Sequence, residues 1–268
     1  IHRIGENKLF ILKNKIILVT GATGYLGSVI SEGLAKAGAK VYINGRTEDS
    51  VNKIVDSLIK KGYQAKSAIF DITNYKQVDK FFSNFNEEVI DALLINAYNG
   101  KGGTTATSSI QDFRDSYEIS MVATHNLFQK SLPYLQPAKN KNGDASVVNI
   151  SSMYGMVSPD ISIYDSENIS NPPFYGAAKA ALIQWTKYTA CEFAQKGIRV
   201  NSISPGAFPP IAVKKNYLNM YKAIENKIPM KRVGSPEELI GPVVFLVSES
   251  ASFVTGINLP VDGGWTAW

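Results

Sequence analysis

"KIILVTGATGYLGSVISEGLAKAG", residues 15–38, decides how the chain folds. A short apolar run leads into a glycine-punctuated turn, "TGATGYLG" (20–27), and then into a segment with helical spacing. Gly21, Gly24 and Gly27 let the backbone turn sharply, approach an anion closely and pack the new helix tightly on the strand. A helix starting there presents unpaired N–H groups and a positive dipole end, which suit a pyrophosphate. Gly38 stands where a helix C-terminus wants a residue free to turn left-handed.

Similar β-rich runs recur downstream: "KVYIN" (40–44), "AKSAIF" (65–70), "DALLIN" (91–96), "ASVVNIS" (145–151), "IRVNSIS" (198–204) and "INLPVD" (257–262), with the first at 15–20. Helical stretches separate them, and Thr47 or Ser50 can cap the one after the second run. Nearly continuous apolar strands imply a sheet buried on both faces. Alternating β and α elements with right-handed crossovers give a doubly wound, three-layer α/β fold with a seven-stranded, mainly parallel sheet. We expect one domain over 1–268, interrupted by two long segments at 153–173 and 207–232. Both follow strands, on the side where open α/β sheets bind ligands.

The composition narrows the function. Of 268 residues, 44% are hydrophobic and 19% charged, as in ordinary globular proteins, and no eighteen-residue apolar run suggests a membrane span. The opening "IHRIGENKLFILKNK" is too polar and broken for a secretory signal, so we expect a cytoplasmic protein. Two histidines and one cysteine, Cys191, give no metal-ligand spacing and no internal disulfide. We read Cys191 as a buried small apolar residue. The net charge of +5 is scattered rather than gathered into a stripe, which argues against a nucleic-acid partner. One local bias exists: residues 211–232 hold six basic residues against Glu225.

The second strand ends in "NGRT" (44–47). Dinucleotide folds that prefer NAD usually place an acid here for the ribose hydroxyls. This chain has Gly45 and then Arg46, a fixed cation suited to a 2′-phosphate, so NADP is the expected cofactor, with NAD possible. A solvated arginine at a strand end is the bland alternative.

With these motifs in view, the sequence resembles the short-chain dehydrogenase/reductase family from about residue 15 to its end. The resemblance implies a Rossmann fold and assigns the cofactor contacts. Thr23, Tyr25 and Leu26 belong to the glycine turn. "FDIT" supplies Asp71 and Ile72 near the adenine, and "INAY" keeps Asn96 and Ala97 of an Asn-Asn-Ala-Gly segment. "VNSISPG" brings Pro205 and Gly206 to the nicotinamide side, and "PMKRVGSPEEL" and "TGINLPVDGG" match the C-terminal signatures. A looser likeness, in "SSMYGMVSP" and "NPPFYGAAKA", is to enzymes of flagellin and surface-polysaccharide sugar modification.

"YGAAK" puts Tyr175 and Lys179 four positions apart, on one face of a helix. An ammonium there would lower the phenol's pKa from about 10, fitting it to exchange a proton with a hydroxyl/carbonyl pair while hydride moves to or from the cofactor. Ser152 would hold the reacting oxygen, and Lys179 would also grip the ribose. Three departures stand out. Ser152 and Tyr175 are 23 positions apart, some ten more than the family's habit. The family's catalytic asparagine falls on Ser120, which is shorter and would need a water. Tyr25 replaces a frequent glycine. His125 reads as a helix-surface or interface residue, Trp185, Tyr188 and Phe193 as packing, and the "VDGGWTAW" tail as packing on a subunit neighbour.

The resulting expectation is an NAD(P)-dependent oxidoreductase acting on a secondary alcohol or ketone, of a sugar or sugar derivative, in a homodimer or homotetramer. The alternatives are a 3-oxoacyl or sugar-acid reductase, a non-redox epimerase or dehydratase that keeps its cofactor, and a non-catalytic dinucleotide sensor. The basic segment 207–232 suggests a phosphorylated or nucleotide-linked substrate.

Overall fold

All seven β-rich runs become strands of one sheet. The computed structural model describes residues 10–268, so residues 1–9 of the single-domain expectation lie outside the described residues. The strands are β1 (Ile16–Val19), β2 (Lys40–Gly45), β3 (Gln64–Ile69), β4 (Ala92–Ile95), β5 (Ala145–Ile150), β6 (Ile198–Pro205) and β7 (Asn258–Val261). They lie in the order β3-β2-β1-β4-β5-β6-β7, and every pairing is parallel. Every residue of β4, β5 and β6 is buried, which is why these runs read as continuously apolar or small, whereas the edge strand β3 is mostly exposed.

Helices cover both faces. On one side α1 (Tyr25–Lys36), α2 (Glu48–Lys60) and α9 (Ile240–Val247) bury Ile30, Leu34, Val51, Leu58, Val243 and Leu246. On the other, α3 (Tyr75–Ser83), α5 (Ala123–Asn142) and α6 (Pro173–Phe193) bury Val78, Phe82, Leu127, Phe128 and Phe193. Gly38 adopts φ +103° just past α1, as the helix end requires. Thr47 stands at the N-cap of α2, but its hydroxyl bonds Ser50 instead of a helix amide.

The two irregular segments pack on each other. Residues 153–173 form three single 3₁₀ turns, and 207–232 carry α7 (Ile211–Asn216) and α8 (Leu218–Lys227). Met153 and Ile163 from the first segment meet Ile228 from the second and Trp265 from the tail in a small apolar cluster of their own. An ion pair between Asp160 and Lys227 ties the segments together. Trp265 therefore packs within the chain, while the terminal Trp268 is exposed.

Two packing expectations fail. Cys191 is exposed, and so is Tyr188 at 70%, because both fall on the outward face of α6. Trp185 and Phe193 do pack inward, and the exposed His125 sits edge-on to Trp185 with centroids 6.3 Å apart.

One buried cation joins the sheet to α9. The Arg199 guanidinium pairs with Asp144 and donates to the carbonyls of Leu246 (2.8 Å) and Ser248 (3.2 Å). Arg199→Leu strands that carboxylate and both carbonyls, so it should cost about 3 kcal/mol in urea unfolding. Wild-type stability in that variant would show that the pair contributes nothing.

Candidate active site

The chain reverses its strand order between β1 and β4, which opens a crevice at their carboxyl ends. The glycine turn fills the gap after β1 because its backbone touches the loop after β4. A Cβ on Gly27 would lie 2.2 Å from the Gly21 carbonyl oxygen, and one on Gly21, which holds φ +60°, 2.8 Å from Ala97 Cα. Polar side chains pin the arrangement. Asn96 Nδ2 donates to the Gly21 carbonyl at 3.1 Å, and Thr20 Oγ1 accepts from the Asn96 amide at 3.0 Å. The N-terminus of α1 has no side-chain cap and no acid in its first turn, leaving its amides free for an anion.

A cleft of about 570 Å³ runs along this edge. It brings together the turn from Gly21 to Gly27, Arg46, Asp71, Ile72, Asn96 and Ala97. Arg46 is exposed at its far end and has no partner among the described residues. Asp71 accepts from the Thr73 amide (2.9 Å) and hydroxyl (2.7 Å), which fixes its carboxylate at the rim. Pro205 and Gly206, at the end of β6, do not line this cleft, and neither do Ser152, Tyr175, Lys179 or Ser120.

Tyr175 and Lys179 lie against Tyr98, and Ser152 meets Tyr175. The paired prolines Pro172 and Pro173 start α6, so Tyr175 and Lys179 occupy its first turns and face inward. Ser152 follows β5 by two residues, and its hydroxyl meets the Tyr175 phenol while accepting from the Tyr154 amide at 3.1 Å. Two glycines hold the turn after β5 against α6: a Cβ on Gly155 would lie 2.8 Å from the Lys179 carbonyl carbon, and one on Gly176 2.7 Å from the Tyr154 carbonyl oxygen. Lys179 is buried and donates to the Ile150 carbonyl at 2.7 Å. Ser120 sits in a π-helical turn, Glu118–Val122, with its hydroxyl buried and unpartnered among the described residues. Such turns often mark functional sites.

The electrostatics correct one expectation. Lys179 does not lower the Tyr175 pKa here. Burial pushes the phenol up to about 12, the Ser152 hydrogen bond offsets only part of that, and the neighbouring Tyr98 phenol adds to the rise. Burial also pushes Lys179 down to about 8. The ammonium lies 5.7 Å from the Tyr175 ring centroid and is turned to the Ile150 carbonyl. In this state the phenol is a proton donor rather than a base.

Three of the six basic residues in 211–232 are engaged within the protein. Lys227 pairs with Asp160, Arg232 grips Glu238 with two 2.7 Å bonds, and Lys231 donates to the Asn226 carbonyl at 2.6 Å. Of these contacts, the Lys227–Asp160 pair ties the two irregular segments together. Sequence reasoning missed Asn44, which is buried, accepts from the Gly21 amide and donates to Ala68 (2.9 Å) and Phe70 (3.0 Å). An amide ending an apolar strand was the available signal. It also missed Tyr98, the residue after Ala97.

The family model described as Enoyl-(Acyl carrier protein) reductase matches residues 21–266. A tropinone reductase homolog of Datura stramonium is 32% identical over 98% of this chain and 96% of its own. The 7alpha-hydroxysteroid dehydrogenase of Bacteroides fragilis is 27% identical over 95% of both. A gluconate 5-dehydrogenase from Burkholderia cenocepacia, solved in complex with NADP and tartrate, superposes with a TM-score of 0.85 at 26% identity, covering 97% of this chain and 98% of that one.

The buried ammonium makes a stability prediction. A fall from 10.5 to about 8, at roughly 1.4 kcal/mol per tenfold change in proton affinity, penalises the charged folded state by on the order of 3 kcal/mol. Below pH 8 both folded and unfolded chains carry the proton and the penalty is complete. Between pH 8 and 10.5 the unfolded chain binds more protons, so wild type gains stability as the pH rises. Lys179→Met should therefore be the more stable protein at pH 7, with the gap narrowing by pH 10. Equal urea midpoints at both pH values would contradict the burial account.

Proposed function

The chain belongs to the short-chain dehydrogenase/reductase family, and from that premise we propose that it is an NADP-dependent oxidoreductase reducing a ketone on a polar, carbohydrate-like substrate. The observation that carries the reading is the Ser152–Tyr175–Lys179 group packed against Tyr98, a residue that also lines the glycine-rich cleft. The cradle fits a dinucleotide: its glycines leave no room for side chains, and the α1 amides are uncapped. When bound, the nicotinamide cofactor supplies the hydride.

The chain's own residues supply the rest. Ser152 orients the substrate oxygen by the hydroxyl that already meets Tyr175. The protonated Tyr175 phenol donates to that oxygen as negative charge develops on it, and its high pKa suits reduction more than oxidation. Lys179, held by the Ile150 carbonyl, would meet a ribose hydroxyl of the bound cofactor and restore charge balance. Ser120, shorter than asparagine, would complete a proton path only through a water.

The substrate class rests on a second pocket of about 330 Å³, where the inserted segment meets the catalytic phenol. Tyr98, Tyr164, Asn171 and Lys101 line it with Tyr175, a mixture of rings and hydrogen-bonding groups suited to a hydroxylated ligand. The same reading makes the enzyme a cytoplasmic homo-oligomer. Exposed Ile110, Phe113 and Tyr117 on α4 (Ile110–Tyr117), with Tyr188 on α6, support association, and among the described residues no helix is long and apolar enough to cross a membrane.

Two variants test the assignment, using a panel of keto sugars and keto sugar acids with a lipophilic ketone as comparator, read by NADPH absorbance. Tyr175→Phe should keep NADPH binding but lower turnover at least about 100-fold. Turnover within a few-fold of wild type would remove Tyr175 from the chemistry. Arg46→Ala should weaken NADPH about tenfold or more and leave NADH nearly unchanged, since only NADPH has the 2′-phosphate. A wild-type preference for NADH would refute the cofactor choice, and a preference for the lipophilic ketone would refute the substrate class.

A further inference from the structure

Tyr98 occupies the boundary between the two cavities. It ends the strip Asn96-Ala97-Tyr98 after β4, lines the dinucleotide cleft on one side and lines the smaller pocket with Tyr175 on the other. Its ring meets the Tyr175 ring edge-on with centroids 4.8 Å apart. The Lys179 ammonium stands 5.2 Å from the Tyr98 centroid, closer than to Tyr175. The ring thus covers the ammonium that a ribose would otherwise meet.

The position is built, not accidental. The Tyr98 hydroxyl shares a 3.2 Å hydrogen bond with Ser116, and Ser116 in turn donates to the Phe174 carbonyl, one residue before Tyr175, at 3.1 Å. Gly100 makes room for it: a Cβ there would lie 2.7 Å from the Tyr98 hydroxyl oxygen. Ser116 is buried and Tyr98 half-buried, so the tether connects the ring to the start of α6 through protein.

We propose that Tyr98 is a gate: its ring, tethered by Ser116, closes the catalytic end of the dinucleotide cleft over Lys179 and must turn aside for the nicotinamide half of the cofactor to enter. This rests on the dinucleotide reading above. It divides that cofactor into two parts with different access. The adenosine half reaches Arg46 and Asp71 along a cleft that Tyr98 does not obstruct. The nicotinamide riboside half has to displace a cation–π contact and an edge-on ring contact. A cofactor that binds only the open form has its affinity reduced by the fraction of open molecules.

The test compares two probes on the full chain by calorimetric titration: NADPH, and adenosine 2′,5′-bisphosphate, which lacks the nicotinamide half. Tyr98→Gly removes the gate, and Ser116→Ala releases its tether while leaving the ring. Tyr98→Gly should tighten NADPH about tenfold and change adenosine 2′,5′-bisphosphate by less than about twofold. Ser116→Ala should move NADPH in the same direction by a smaller factor, which guards against a misfolded glycine variant. If wild type binds both probes and neither variant changes their affinity ratio, the gate is refuted while the dinucleotide site stands. If Tyr98→Gly weakens NADPH, the ring supports the cofactor and the gate is likewise refuted. If wild type binds neither probe, the dinucleotide reading fails and takes the gate with it.

Discussion

Everything in the site depends on how closely two backbones approach at the switch point of the sheet. The Gly21–Gly27 turn after β1 rests against Asn96 and Ala97 after β4, with no space for a Cβ at either glycine. That contact sets the width of the cleft and leaves the α1 amides pointing into it. It also sets where the loop after β4 must go next, which is over the start of α6. Tyr98 lands on Tyr175 and Lys179 for that reason.

Burial then decides the chemistry on the catalytic side. A phenol and an ammonium placed together in water would favour the phenolate–ammonium pair. Here both are removed from solvent, and desolvation is the largest influence on each. The phenol stays protonated and the lysine binds its proton weakly. Such a pair costs stability, as strained functional groups generally do, and the cost is carried by the two apolar layers around the sheet.

Much of this was legible in the sequence. The strands were found to within one residue at each end because β4, β5 and β6 are buried on both faces, so their composition leaves little ambiguity. The glycine turn and the Tyr175–Lys179 spacing were readable because backbone sterics and helix geometry act locally. What was not readable depends on distant neighbours. Nothing near Tyr175 in the chain announces Tyr98, 77 positions earlier, or the burial that reverses the expected pKa effect. Within the basic run 211–232, the partners of Lys227 and Arg232, Asp160 and Glu238, lie outside the run, so its sequence did not announce those two pairs. Cys191 and Tyr188 looked inward-facing because residue type says nothing of which side of α6 they occupy.

The most direct measurement of the central claim follows the hydride itself. NADPH deuterated at its hydride-donating carbon is incubated with the enzyme and the keto sugar acid panel, and the alcohol product is examined by NMR. The account predicts one deuterium on the new carbinol carbon for each NADPH oxidised. A product formed without deuterium and without NADPH oxidation would contradict it and would make the chain a non-redox enzyme that merely holds its cofactor.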